Sequence, residues 1–135
     1  MLSGLSLVTP LVGVLVAGVL GYFSGRLLET RKQLILQKGQ AYADYLRALA
    51  TAATDHKSTI SMALAADAKT RICVYGSAGV LRQLSAFEQI GAKIESADAR
   101  RIIAHLLKAM RDDVGVSRRR IEETHLHYVL FGPDR

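Results

Sequence analysis

The first 25 residues contain no charged side chain, and this uncharged run constrains the fold more than any other feature of the sequence. All 18 basic and all 12 acidic residues lie between Arg26 and Arg135, so the net charge of +6 belongs to the rest of the chain. A helix needs about 20 mostly apolar residues to cross the hydrocarbon core of a membrane. The sequence therefore predicts a transmembrane anchor over residues 1–28, followed by a cytoplasmic helical domain over residues 29–135.

The anchor has a recognisable start. Thr9 can cap free backbone N–H groups, and Pro10 suits the first helical position, where its missing N–H costs nothing. A helix over residues 10–28 would be roughly 28 Å long, and residues 1–8 would lengthen it or lie at the interface. A cleaved signal peptide needs a basic start and a shorter apolar run, so the pattern favours a retained anchor.

The charges that follow the apolar run predict its orientation. Arg26, Arg31, Lys32 and Lys38 flank it on one side, and only the amino terminus lies on the other. Because basic flanks stay in the cytoplasm, we expect the N-terminus outside and the rest inside, in a bacterial inner membrane. The lone Cys73 excludes an internal disulfide and fits a reducing compartment.

Small residues recur at every fourth position of the predicted anchor, which places them on one stripe of the helix. Small side chains allow close approach of a second helix, so the stripe predicts a helix–helix contact within the membrane. The partner would be another copy or a larger membrane complex. The stripe consists of Thr9, Gly13, Ala17, Gly21 and Gly25, of which the last four are the predicted contact residues.

The remaining sequence has the composition and periodicity of helices, which predicts an all-α fold. One long helix is expected over residues 29–66, continuing from the membrane with an apolar stripe that includes His56. A further element over residues 67–75 reads as helix, with a short strand as the alternative. Three amphipathic helices should then complete a small bundle or hairpin. They would begin after the N-cap residues Ser77, Ser96 and Ser117 and end near Ile90, Gly115 and Gly132.

Each of these three helices has a predicted inward face. The first face comprises Val80, Leu81, Leu84, Phe87 and Ile90; the second comprises Ala99, Ile102, Ile103, Leu106, Leu107 and Met110; the third comprises Ile121, His125, Tyr128 and Val129.

Several short motifs resemble a loose group of uncharacterised small bacterial proteins that have one membrane helix and a helical cytoplasmic domain. The motifs are the segments 41–46 (AYADYL), 71–77 (RICVYGS), 84–87 (LSAF) and 110–115 (MRDDVG). The resemblance implies a bacterial membrane-anchored helical protein. It implies no catalytic residue and no ligand.

No set of residues in the sequence has the spacing of a catalytic or metal site. His125 and His127 lie two positions apart, so on a helix they point in different directions and cannot easily share a metal. Asp112 and Asp113 also diverge, and pairing with nearby arginines explains them better than acid–base chemistry. The glycines around Ser77 lack a phosphate-loop signature, which indicates a structural turn. No cofactor, no metal and no enzymatic activity is expected.

The densest basic run is Arg118–Arg120. A solvated helix face is the simplest interpretation, and contact with anionic lipid or an acidic protein is the functional one. Nucleic acid is not an expected partner, because no recognised binding module is present. The sequence thus predicts a non-enzymatic anchored protein that self-associates or serves as an accessory subunit of a bacterial membrane complex. The alternative is a membrane-active protein of holin-like or toxin-like type.

Overall fold

A computed structural model describes residues 5–54, 59–116 and 121–133, with side chains described from Gly13 onward. All regular structure in these ranges is α-helical, which confirms the all-α class. Residues 72–75 belong to a helix, so the strand alternative is wrong. The described residues form five helices, namely α1 (Leu5–Thr54), α2 (Thr59–Tyr75), α3 (Ala78–Gln89), α4 (Ala97–Asp113) and α5 (Glu123–Phe131).

The chain divides into two units between Ile35 and Leu36. The first unit contains the N-terminal part of α1, and the second contains the rest of α1 with the other four helices. Within the described residues, none of the helices has a stretch that is both long and apolar enough to pass through a membrane.

The predicted boundary between residues 66 and 67 is absent from the structure. The sequence suggested one helix over residues 29–66 and a separate element over residues 67–75, but α2 passes through Ala66 and Asp67 without interruption. Neither Ala66 nor Asp67 is a glycine or a proline, so no helix-breaking residue interrupts α2 at this position. His56 lies outside the described residues.

Two predicted serine caps are present. The Ser77 hydroxyl accepts from the N–H of Val80 at 3.4 Å, and the Ser96 hydroxyl accepts from the N–H of Ala99 at 3.1 Å. These bonds satisfy backbone donors that the first turns of α3 and α4 leave free. The third predicted cap, Ser117, lies outside the described residues, and α5 begins at Glu123.

Glycine is required at the turn between α2 and α3. The N–H of Gly76 donates to the carbonyl of Ile72 at 2.7 Å, and an added Cβ would lie only 2.6 Å from that oxygen. At the end of α4, Gly115 has a φ of 76°, which favours glycine.

The core of the second unit joins one face from each of α1, α2, α3 and α4. It comprises Ala41, Tyr42, Tyr45, Ala68, Ile72, Val80, Leu84, Phe87, Ala99, Ile103, Leu106 and Met110. The predicted face of α4 is confirmed, with Ile102 and Leu107 only partly buried. The face of α3 is correct except for Ile90, which is exposed at the end of the helix.

The predicted face of α5 is wrong. His125, Tyr128 and Val129 are exposed, whereas Leu126 and His127 are half-buried. This helix has no fully buried residue. The contact with α4 determines which face of α5 is buried. The sequence of α5 has no strong apolar periodicity, so it could not predict that face.

Candidate functional site

The N-terminal part of α1 exposes a largely apolar helix surface, in which Arg26 is the single charged residue before Glu29 among the described side chains. We call residues 13–28 the apolar segment. Every side chain in it is exposed, including Leu15 at 63%, Leu20 at 61% and Phe23 at 58%. An all-round apolar helix is normally covered by protein or lipid. The other large exposed residues of this segment are Val14, Val16, Val19, Tyr22, Leu27 and Leu28.

The predicted contact stripe lies within this segment. Gly13, Gly21 and Gly25 have no described atom within 4 Å of an added Cβ, and Ala17 is exposed. A backbone surface is therefore open along the stripe. Its role as a helix–helix contact stays a prediction.

A buried polar cluster lies in the second unit, where the C-terminal end of α4 meets α1. The Asp113 carboxylate accepts from Lys38 Nζ at 2.9 Å, from the Tyr42 hydroxyl, and from the N–H of Ser77 at 3.2 Å. Only 9% of the Asp113 side chain and 15% of the Lys38 side chain are exposed. Burial alone would raise the pKa of Asp113. The bonds from Tyr42, Lys38 and Ser77 outweigh it and hold the pKa below its usual value.

Asp113 in turn affects its tyrosine partner. Burial, the hydrogen bond to Asp113 and the negative charge of that carboxylate together raise the pKa of Tyr42 well above its usual value. The phenol therefore stays protonated and donates to the carboxylate. We call a polar contact that links two helices a tie. The Lys38–Tyr42–Asp113 cluster is interpreted as such a tie, because its polar atoms form hydrogen bonds and an ion pair with one another.

Arg71 on α2 forms a second tie, to α1. Its guanidinium lies 2.9 Å from Asp44 and 2.8 Å from Asp67. The hydrogen bond to Asp44, above all, raises the pKa of Arg71.

Tyr45 on α1 forms a third tie, to α3. Its hydroxyl lies 3.5 Å from Glu88, which also contacts Lys69 at 3.2 Å. Burial, more than the Glu88 charge, raises the pKa of Tyr45.

A groove of about 740 Å³ lies between α4 and α5 in the second unit. Its α4 side carries Arg100, Arg101 and His105, and its α5 side carries Glu123 and His127 among others. The two sides are joined where Nδ1 of His105 lies 2.8 Å from Oε2 of Glu123. The groove is thus lined by cationic and hydrogen-bonding groups.

The structure describes only some of the residues that the sequence singled out as candidate site residues. Arg118, Arg119 and Arg120 lie outside the described residues. His125 is exposed, while His127 packs against Phe131 with ring centroids 5.2 Å apart. Among the described residues, no group of three or more His, Cys, Asp or Glu side chains could hold a metal ion.

Sequence reasoning missed the partners of Asp113. They are Lys38 and Tyr42, which lie 75 and 71 positions away and which no local spacing could indicate. The prediction that Asp113 pairs with nearby arginines is wrong. Asp112, its neighbour, lies 3.5 Å from Lys108 one turn earlier on α4.

Comparison of the chain with protein-family models, curated proteins and solved structures finds no match.

Proposed function

We propose that the protein is a non-enzymatic, membrane-anchored helical protein that self-associates or serves as an accessory subunit of a bacterial membrane complex. The observation that carries this proposal is the exposure of every side chain in the apolar segment. A continuous apolar surface of this kind is unfavourable in water, so we infer that lipid covers it.

The extent of the uncharged sequence supports lipid over a protein partner. The run starts at Met1, so it includes residues 1–12, whose side chains lie outside the described part of the chain. Counted together with the apolar segment, it reaches the length that a span requires. Arg26 lies near the C-terminal end of this segment, and Arg31 and Lys32 follow it, which supports a cytoplasmic location for the second unit.

The ties in the second unit support a structural role for its perturbed titratable groups. Tyr42, Tyr45, Arg71 and Asp113 are the described groups whose pKa is shifted, and each is bonded across helices. Ion-pair networks of this kind hold helices together without providing a reactive group. This arrangement supports the non-enzymatic part of the proposal.

Fractionation of cells that express two arginine variants tests the anchor. Leu20→Arg places a charge within the apolar segment, where insertion would cost about 2.5–3.5 kcal/mol. We expect it to shift the protein from the membrane to the soluble or aggregated fraction. Ile60→Arg is the matched control, because Ile60 is an exposed apolar residue of α2. It should leave the protein in the membrane.

If both variants fractionate like the unaltered protein, the apolar segment is not the anchor. The second part of the proposal is tested by purification from native membranes in mild detergent, where a stable complex or homo-oligomer is expected. Dye leakage from cells on expression would contradict it and favour the membrane-active alternative.

A further inference from the structure

The groove between α4 and α5 has no role in the anchoring function, and we propose that it binds the phosphate group of an anionic ligand. Its volume of about 740 Å³ is in the range of sites for small organic ligands. The inference does not depend on the membrane anchor, since a soluble phosphate ester would fit the same chemistry.

The arginines of α4 supply the positive charge, and neither is strongly engaged within the described chain. Arg101 lies 3.8 Å from Asp98, and both side chains are at least 70% exposed. An exposed pair at that distance contributes little. Arg100 donates to the carbonyl of Glu95 at 3.4 Å, which is a long hydrogen bond. An incoming anion would therefore displace only weak contacts.

The opposing side of the groove supplies further hydrogen-bonding groups. Thr124, His127 and Tyr128 of α5 bring a hydroxyl, an imidazole and a phenol to the lining. Glu123 is the single carboxylate among the described lining residues. Its Oε2 atom lies 2.8 Å from Nδ1 of His105, so this carboxylate already has a partner within the groove. The described lining thus carries two guanidinium groups against one paired carboxylate.

The arrangement of donors favours phosphate over carboxylate. A phosphate group has several oxygens in a tetrahedral arrangement, so it can accept hydrogen bonds from both sides of a groove at once. A carboxylate is planar and is matched best by one arginine in its plane. Donors on α4 and on α5 therefore suit the phosphate of a soluble ester or of a lipid headgroup.

Calorimetric titration of the full chain in an uncharged detergent at low salt tests the site. One arm uses glycerol 3-phosphate, and the other uses mixed micelles that contain phosphatidylglycerol. We expect saturable binding in at least one arm. Binding of glycerol 3-phosphate indicates that a free phosphate ester suffices, and binding of phosphatidylglycerol alone indicates a lipid headgroup.

Two variants that each remove one positive charge locate the site. Arg101→Gln should weaken binding by about tenfold, because it removes a charge-assisted hydrogen bond. Arg82→Gln is the matched control, since Arg82 is an exposed arginine on α3 and does not line the groove. It should change binding less than twofold. Both positions are exposed, so both variants should fold, which circular dichroism would verify.

Four outcomes would overturn the proposal. The first is no binding of either probe, and the second is an equal loss for Arg82→Gln and Arg101→Gln, which indicates diffuse charge attraction. The third is a loss of phosphate binding when Arg118–Arg120 are replaced together, while Arg101→Gln leaves binding unchanged. The fourth is binding of a poly-glutamate peptide when neither phosphate probe binds, which would indicate an acidic protein partner.

Discussion

Replacement of Asp113 by Asn tests whether the buried polar cluster holds α1 and α4 together. The asparagine keeps the size of the side chain but removes the negative charge that faces the Lys38 ammonium at 2.9 Å. It also turns one acceptor oxygen into a donor. We expect the free energy of unfolding to fall, because a buried ammonium is left without a counter-ion.

The size of the loss follows from the geometry. Breaking a buried ion pair by removing one partner costs about 3–5 kcal/mol, and a hydrogen bond to a charged group contributes about 1.5–3 kcal/mol. Lys38 is 15% exposed and can turn toward water, which reduces the loss. The asparagine oxygen can still accept from Tyr42 or from the N–H of Ser77. We therefore expect a loss of about 2–4 kcal/mol.

Asp112→Asn is the matched control. Asp112 is the preceding residue of α4, and its carboxylate faces Lys108 at 3.5 Å in a partly exposed pair. Both variants remove one negative charge from the C-terminal end of the helix, so the effect on the helix dipole is common to both. The control should change the unfolding free energy by less than about 0.5 kcal/mol.

The assay is guanidinium unfolding of the full chain in mild detergent, followed by helical circular dichroism at several pH values. The pKa of Asp113 is lowered in the folded state, so its stabilising contribution is present above the unfolded pKa and is lost as the pH falls through the folded value. The unaltered protein should therefore lose more stability below about pH 4 than Asp113→Asn does. Equal stabilities of the two asparagine variants at neutral pH would refute the role of the cluster.

Three further predictions concern the core, the orientation and the stripe. Leu106→Ala should lower the free energy of unfolding by about 2–5 kcal/mol, as measured by chemical denaturation. Leu107→Ala should lower it by less, because Leu106 is fully buried and Leu107 is only partly buried. The exposed Cys73 should react with a membrane-impermeant thiol reagent only after lysis. Labelling in intact cells would show that the predicted orientation is wrong. Gly21→Leu should keep membrane fractionation but abolish crosslinking to the partner, whereas Leu20→Ile should not.

Local sequence features predicted the helical class and two helix starts. The absence of proline between residues 11 and 132 and the spacing of apolar residues indicated helices. Ser77 and Ser96 marked the starts of α3 and α4, because capping depends on a neighbour three positions away. The uncharged run up to Gly25 is likewise a property of consecutive residues, and the exposure of the apolar segment is consistent with it.

Contacts between distant parts of the chain were decided only by the tertiary structure. The carboxylate of Asp113 could pair with many cations in the sequence, and the packing of α4 on α1 selected Lys38. The groove likewise depends on how α5 lies on α4, since His105 and Glu123 are 18 positions apart on different helices. Side-chain periodicity specifies which face of a helix is apolar, whereas the partner of that face depends on global packing. For this reason the sequence determined the helical class and the starts of α3 and α4, whereas the tertiary structure alone determined the ties between helices and the groove.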